Sequence, residues 1–330
     1  MSPRVKKQRR QKGQRKNQRR KRERIRRLLK RRRQRKKYSP ADFIAAGLWY
    51  EMIIDFHTHV LPPRIKNNRS QYMAKDAAFA QIYSGDKVKI ATTEDLIDSM
   101  DRDEVDISVI VNYSWTTHEL CLETNDYVLD SVARYPKRLI GFGAVSSYTD
   151  DASLAEIERC VRGGIKGVGE LRPDTQSIDY TQKDVIKPFT DLLRKYKLIV
   201  LTHASEPVGH LYPGKGAATP ELLYKFIANL PDLPVVCAHW GGGLPFYTLM
   251  PEVREALENV YFDTAISPYL YRPEIYLQMS RLIGADRILF GSDFPVISQS
   301  RIIKEILAAE LPEENREEIL CGNARRLLGI

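Results

Sequence analysis

Residues 52–59 read MIIDFHTH, an apolar run that ends in two histidines separated by a single residue. Its length and β-branched content are typical of a buried strand, and polar residues begin where the run stops. Side chains two apart on a strand point to the same side, so His57 and His59 can both face one ion. On its own the H-x-H pair fits a metal ligand or an ordinary polar loop equally well. The stretch therefore predicts a strand that carries a candidate metal motif at its carboxyl end.

Seven further apolar runs follow this one, separated by amphipathic stretches with helical spacing. Near-continuous apolar strands that alternate with helices are typical of a parallel sheet whose outer face is covered. Eight such units, with no G-x-G-x-x-G motif after the first strand, predict an α/β fold of the closed (β/α)8 TIM-barrel type. The predicted strands span residues 52–57, 107–113, 139–145, 166–171, 198–203, 234–239, 260–265 and 287–293.

Two connecting segments carry further expectations. Residues 60–91 are long for the first connection of a barrel, and we expect them to fold as a lid over the mouth, the C-terminal end of the barrel. The final GNARRLLGI, residues 322–330, predicts a last helix that packs on the opposite end.

The net charge of +10 is concentrated at the N-terminus. Residues 1–38 hold 22 of the 52 basic residues and a single acid, Glu23, which leaves 30 basic and 41 acidic residues and a net charge of −11 elsewhere. Such a segment cannot bury a core, so we expect a disordered basic extension and linker over 1–51 and a barrel over 52–330. The extension is either a nucleic-acid-binding arm or the product of a misplaced start, the true one lying near Met52.

The remaining composition predicts an ordinary intracellular protein. The four cysteines, Cys121, Cys160, Cys237 and Cys321, are far apart and form no C-x-x-C pair, so we expect free thiols. No run of 18 apolar residues is present, and the basic N-terminus lacks the apolar part of a secretory signal. These features predict a soluble, cytoplasmic protein without a membrane partner.

Polar side chains recur where the predicted strands end. In a TIM barrel these ends meet at the mouth, where catalytic residues come from several strands. Imidazoles combined with carboxylates suit zinc, manganese or iron, so we expect a divalent metal there, with zinc the first choice. The strand-end residues are His57, His59, Glu170, His203, His239 and Asp293.

Four segments resemble the amidohydrolase superfamily. They are DFHTH at 55–59, THASEP at 202–207, VVCAHWGGG at 235–243 and ILFGSDFP at 288–295. The likeness runs from residue 52 to residue 330, and its most specific parts are HWGGG and FGSDFP. It is strongest to the amidohydrolase-related branch (amidohydrolase 2), which also holds aminocarboxymuconate semialdehyde decarboxylase and resorcylate-type decarboxylases.

The resemblance implies roles for individual residues. His57, His59, His203 and Asp293 are expected to bind the metal, and His239 is expected to act beside it as an acid, a base or a carbonyl polariser. Asp293 and His239 thereby become the expected catalytic residues.

Glu170 leaves the number of ions open at one or two. Many hydrolases of the superfamily bridge two metals with a carboxylated lysine at this strand, and TatD-type nucleases place a glutamate there. Glu170 is therefore either a ligand or a substrate-facing carboxylate paired with Arg172. Arg172 is expected to bind a substrate carboxylate, with a structural ion pair as the alternative. Trp240 is expected to line the pocket, unless it packs against the lid.

Three functions use this set of residues. The first is hydrolysis of a small cyclic or carboxylated substrate by metal-activated water. The alternative is non-oxidative decarboxylation of an aromatic or muconate-like acid, and a TatD-like nuclease is less favoured because the charge of −11 outside residues 1–38 repels phosphate. The expected partner is a small-molecule substrate. Homo-oligomerisation stays open, and nucleic acid is expected only through the extension.

Overall fold

The computed structural model describes residues 52–85, 88–113, 115–176 and 179–330. The predicted extension over 1–51 lies outside the described residues, so its disorder and its interactions stay predictions. Within the described part of the chain, no helix is long and apolar enough to cross a membrane.

Eight parallel strands form one sheet in sequential order. The last strand returns to the first: the Phe56 N–H donates to the Phe290 carbonyl over 2.7 Å, and the Asp293 N–H to the His57 carbonyl over 2.9 Å. The predicted (β/α)8 barrel is thereby confirmed, although most strands are shorter than their predicted runs. The strands are β1 (Ile54–Thr58), β2 (Ile107–Ile110), β3 (Leu139–Gly143), β4 (Gly167–Leu171), β5 (Ile199–Thr202), β6 (Val235–Cys237), β7 (Val260–Asp263) and β8 (Ile288–Leu289).

Helices follow the strands and cover the sheet. Local signals fix several helix starts; before α4, the Thr92 hydroxyl and the Asp95 carboxylate accept each other's backbone N–H groups in a capping box. The α-helices are α1 (Pro63–Asn67), α2 (Arg69–Lys75), α3 (Ala77–Tyr83), α4 (Thr93–Asp103), α5 (His118–Arg134), α6 (Asp151–Arg162), α7 (Lys187–Tyr196), α8 (Pro220–Ala228), α9 (Pro251–Ala256), α10 (Ser267–Leu270), α11 (Ile275–Ile283), α12 (Gln299–Ala308), α13 (Glu313–Glu317) and α14 (Asn323–Leu328). Other helical turns cover His239–Tyr247, Ala285–Arg287 and Glu318–Gly322.

The barrel interior is packed with side chains and closed at its amino end. Phe56, Phe142 and Leu201 are fully buried inside the sheet. Ala324 and Leu328 of α14 belong to the same apolar cluster, so the last helix packs on this end as predicted. The apolar side chains therefore fill the barrel below the mouth, where the strand-end polar residues meet.

The lid, residues 60–91, consists of the short helices α1 to α3 and is attached to the end of β2 by aromatic packing. The ring of Phe79 stacks on Trp115 with centroids 5.0 Å apart, and the Tyr113 hydroxyl donates to the Ala78 carbonyl over 3.1 Å. Trp115 is fully buried in this cluster, where the ring of Phe79 from the lid covers it.

Candidate metal centre

His57 and His59 bring two ring nitrogens together at the mouth. Their Nε2 atoms lie 3.0 Å apart. The His59 Nδ1 lies 3.0 Å from the Val111 carbonyl, which can only accept, so the proton of a neutral His59 sits on Nδ1. The His57 Nδ1 lies 2.7 Å from the Asp263 carboxylate, which fixes its proton in the same way. Two nitrogen lone pairs therefore point into one space.

Two carboxylates border the same space. Asp293 Oδ1 lies 3.2 Å from His59 Nε2 and 3.8 Å from His57 Nε2. Glu170 Oε2 lies 3.4 Å and 3.7 Å from the same two nitrogens. All four side chains are buried or nearly so. The strand ends of β1, β4 and β8 thus supply four electron-rich groups within one small volume.

The electrostatics of these groups call for a positive charge. Burial opposes a charge on His59, but the neighbouring Asp293 and Glu170 outweigh it and raise the pKa of His59 to about 9. Burial likewise opposes ionisation of Asp293, yet His239 and His59 hold its pKa well below the usual range. Either protons or a cation must therefore lie among these atoms.

The donor set suits a divalent metal. Neutral imidazole nitrogens and carboxylate oxygens are the ligands of zinc and manganese sites. Two sets of three donor groups each have their ligand atoms within 4.8 Å of one another: His57 with His59 and Asp293, and His57 with Glu170 and His239. Both sets contain His57, whose one free lone pair on Nε2 can serve a single ion, so they describe two alternative donor sets around one ion.

His239 projects from a left-handed stretch of backbone at the end of β6. Every residue from His239 to Gly243 has a positive φ, between 56° and 94°. A Cβ on Gly242 would lie 2.4 Å from the Ser205 carbonyl, so only glycine fits there. Asp293 also has a positive φ, 60°. Strained backbone of this kind clusters at functional sites, and here it carries the two residues predicted to be catalytic.

The imidazole of His239 has one free position. Its Nδ1 lies 3.1 Å from the Ala204 carbonyl and therefore carries a proton. Its buried Nε2 has no hydrogen-bond partner within the described ranges and lies 3.7 Å from Asp293 Oδ2. Nε2 is thus the atom at which His239 can exchange a proton with its surroundings.

His203 lies beside Glu170 at the end of β5. Its Nδ1 is 2.8 Å from Glu170 Oε1 and its Nε2 is 3.0 Å from the Ser205 hydroxyl. Burial and the charge of Arg172 lower the pKa of His203 to about 4, which keeps the ring neutral as a ligand must be. Neither of the two donor sets includes His203, so its ligand role remains a prediction.

Asp263, at the end of β7, orients two site residues at once. One oxygen accepts from His57 Nδ1 and the other accepts the His239 backbone N–H over 2.8 Å and the Ala265 N–H over 3.1 Å. The position of Asp263 at a strand end is the signal in the sequence for such a supporting role, but its bond to His57 depends on the folded arrangement.

Asp263→Asn is expected to weaken metal binding about 10- to 100-fold, as loss of a residue that orients a ligand does. Both Asp263 oxygens accept hydrogen bonds, so the amide NH2 would oppose either His57 Nδ1–H or the backbone N–H groups. Isothermal titration with Mn²⁺ measures the change. Asp232→Asn, at an exposed carboxylate paired with Arg194, is the control, and equal affinity in both variants would refute the role of Asp263.

Arg172 lies fully buried past the end of β4, 1% exposed. Its Nη2 contacts Asp174 Oδ2 at 3.4 Å, whereas Nε and Nη1 have no partner in the described part of the chain. The alternative in which Glu170 pairs with Arg172 is therefore not found, and Glu170 lies beside His59 and His203 instead. A buried guanidinium with unused donors is costly without a ligand, which suits a substrate contact.

Trp240 does not lie where a substrate contact requires it. The side chain is fully buried in the core outside the sheet, its Nε1–H donates to the Ser267 hydroxyl over 2.6 Å, and its ring packs edge-on against Tyr276. The left-handed backbone turns the side chain away from the mouth. The geometry thus supports a packing role for Trp240 in place of the predicted pocket wall.

Comparison with known proteins places the chain among relatives of this architecture. A family model described as Amidohydrolase matches residues 54–330. The 2-amino-3-carboxymuconate-6-semialdehyde decarboxylase of Dictyostelium discoideum is 23% identical over 334 residues, which cover 84% of this chain and 91% of that protein. The gamma-resorcylate decarboxylase of Polaromonas sp. (strain JS666 / ATCC BAA-500) is 24% identical over 258 residues, 66% of this chain and 78% of that protein.

A solved structure shows the same fold. Dihydroxybenzoic acid decarboxylase from Polaromonas sp. JS666, with bound manganese and the inhibitor 2-nitroresorcinol, superposes with a TM-score of 0.68 at 20% identity, covering 84% of this chain and 97% of that one. At this identity the likeness establishes the barrel, and the chemistry must be argued from the residues of the mouth.

Proposed function

Because this chain belongs to the amidohydrolase family, we propose that it is a metal-dependent decarboxylase acting on an aromatic or muconate-like carboxylic acid. The observation that carries the proposal is the convergence of the His57 and His59 Nε2 atoms with the Asp293 and Glu170 carboxylates. The decarboxylases among the relatives favour this alternative over hydrolysis, which the sequence alone had placed first.

His57, His59, His203 and Asp293 would hold the metal, with Glu170 as a further donor. For His203 the ligand atom would be Nδ1, which faces the Glu170 carboxylate at 2.8 Å; the proton would then move to Nε2, which would donate to the Ser205 hydroxyl. When bound, a divalent cation supplies positive charge that stabilises negative charge on the oxygens of the acid. The manganese in a related structure supports manganese, one of the alternatives that the sequence offered, and the first choice of zinc finds no specific support there.

His239 and Asp293 would manage the proton. When the bond to the carboxylate carbon breaks, its electron pair stays on the substrate carbon, which must then take up one proton. A protonated His239 would donate this proton from Nε2 and return to the neutral imidazole, and the Asp293 carboxylate, 3.7 Å away, would stabilise the charged ring beforehand. The buried position of both residues keeps bulk water from competing.

Arg172 would bind an acidic or oxygen-bearing group of the substrate. Its Nε and Nη1 donors have no partner in the described ranges. Its charge lowers the pKa of His203, which indicates that the guanidinium lies near the centre. Gly216 leaves the room for it, because a Cβ there would lie 2.7 Å from Arg172 Nη2. A planar acid would thus contact the metal ligands and the guanidinium together.

Arg172→Met is expected to raise KM about 10- to 100-fold while leaving the metal content unchanged, since a hydrogen bond to a charged group is lost. Steady-state release of carbon dioxide measures the effect. Gly216→Ala should act in the same direction without removing the charge, because the methyl group displaces the guanidinium. Arg194→Met, at an exposed ion pair, serves as control, and an unchanged KM in Arg172→Met would contradict the assignment.

The proposed function is tested by offering the manganese-loaded protein a panel of hydroxybenzoates, carboxyvanillate and muconate-like acids, together with lactones and amides. We expect carbon dioxide and the decarboxylated product from one class of acid. Hydrolysis of a lactone or amide without any release of carbon dioxide would overturn the decarboxylase in favour of the hydrolase.

A further inference from the structure

The lid carries one tyrosine, Tyr83, near the metal centre, and this residue has no role in the site described above. Tyr83 is the last residue of α3, and its side chain is nearly enclosed, with the residue 5% exposed. Its hydroxyl pairs with no group in the part of the chain that the structure describes. The hydroxyl is not among the fully enclosed polar atoms that lack a partner, so it stays available to a ligand that enters the mouth.

Two rings fix the orientation of the Tyr83 side chain. Phe79, one turn earlier in α3, stacks on it with centroids 4.4 Å apart, and Tyr113 packs against it at 6.0 Å. Tyr113 follows Asn112, whose carbonyl accepts the Glu170 N–H over 2.7 Å. The ring of Tyr83 therefore stands on the segment that borders Glu170.

Arg69 fixes the backbone of the same residue. Its Nε donates to the Tyr83 carbonyl over 2.6 Å, and its Nη1 donates to the Val88 carbonyl over 3.3 Å; Nη2 also contacts the carbonyls of Tyr83 and Gly85. A single guanidinium thus holds the C-terminal end of α3 and the residues that follow. The position of the phenol is set by both packing and hydrogen bonding.

The phenol lies within electrostatic reach of the metal centre. Burial, and then the charges of Asp293 and Glu170, raise the pKa of Tyr83 well above its usual range. A phenol is protonated at neutral pH in any case and can donate one hydrogen bond. The nearby carboxylates of Asp293 and Glu170 can only accept hydrogen bonds. The Tyr83 hydroxyl is therefore the hydrogen-bond donor on the lid side of the mouth.

We propose that Tyr83 is a substrate-contacting residue whose hydroxyl donates a hydrogen bond from the lid to an oxygen of the carboxylic acid. The assignment rests on the proposed decarboxylase function and names a contact within it. Arg69 then acts as a positioning residue, because it holds the end of the helix that carries the phenol.

Tyr83→Phe removes only the hydroxyl and keeps the ring packing. In the manganese-loaded full chain, we expect 2-nitroresorcinol, a coloured inhibitor bound in a related structure, to bind about 10-fold more weakly in absorbance titrations. The efficiency of carbon dioxide release should fall by a similar factor, with the manganese content unchanged. Arg69→Met should shift the affinity in the same direction.

The matched control is Tyr72→Phe. Tyr72 is also a buried phenol of the lid, but its hydroxyl donates to Glu123 Oε1 over 2.7 Å, so binding should not change. Equal affinity of Tyr83→Phe and the unsubstituted protein overturns the inference, as does equal weakening in both tyrosine variants, which would report a loosened lid. If the unsubstituted protein neither binds the probe nor releases carbon dioxide from any acid, the proposed function itself fails.

Discussion

Asp293→Asn is expected to lower the rate of carbon dioxide release by about 10²- to 10⁴-fold, the usual contribution of a positioned acid or base. Asp293 Oδ1 lies 3.2 Å from His59 Nε2, and its Oδ2 lies 3.7 Å from His239 Nε2. An asparagine has nearly the same size but neither carries the negative charge nor exchanges a proton. The rate should be measured in excess Mn²⁺, so that weaker metal binding does not limit it.

The control for this substitution comes from the opposite end of the same strand. Asp286 lies just before β8, is exposed and pairs loosely with Arg287 at 3.8 Å. Asp286→Asn should retain the full rate. A near-native rate in Asp293→Asn under the same conditions would reject the catalytic role of Asp293 and the proton pathway through His239.

The double replacement His57→Ala and His59→Ala is expected to abolish metal binding. It removes the two nitrogen lone pairs that converge at 3.0 Å and leaves Asp293 and Glu170 without the donors that complete the set. Metal analysis after equilibration with Mn²⁺ or Zn²⁺ should give about one or two ions per chain before the change and none after it. The count before the change also separates a one-ion centre from a two-ion centre and so tests Glu170.

His210→Ala is the control for the histidine pair, because His210 is exposed in the loop after β5. It should keep the full metal content. Retention of the ion by the double variant would show that the metal is held elsewhere. If the unsubstituted protein is folded but binds no metal even when Mn²⁺ and Zn²⁺ are supplied, that result would contradict the metal centre itself.

The barrel and the outline of its centre could be predicted because both follow from local periodicity. Apolar runs placed the eight strands, and parallel strands bring their carboxyl ends to one mouth. His57, His59, Glu170 and Asp293 therefore had to meet. The bounds were less accurate at β8, where only Ile288–Leu289 form the regular strand and the following residues bond to β1 individually.

Contacts that depend on the exact path of the loops could not be predicted. Asp55 precedes Phe56 on β1 and binds the Ser292 hydroxyl and the Gln299 side chain of α12, which ties β1 to the β8 end. Strand alternation places Asp55 on the face opposite the inward-pointing Phe56, but it does not identify these partners. The position of Tyr83 depends on how three short lid helices pack, which no spacing in the sequence reveals.

The two residues predicted to bind substrate illustrate the same limit. Arg172 precedes a loop, and its partner is Asp174, two residues later, rather than Glu170, two residues earlier. Which of the two carboxylates it contacts depends on the geometry of the loop. Trp240 is the second of five consecutive residues with positive φ, His239 to Gly243, and that backbone directs its ring into the core beside Tyr276. Sequence alone gave no signal for a left-handed backbone at a tryptophan.

The most direct test of the account measures carbon dioxide release from the best acid of the panel by the full chain, first stripped with a chelator and then supplied with Mn²⁺ or Zn²⁺. We expect negligible carbon dioxide release from the metal-free protein and recovery of the release when the ion is returned. Undiminished release by the metal-free protein would contradict the account.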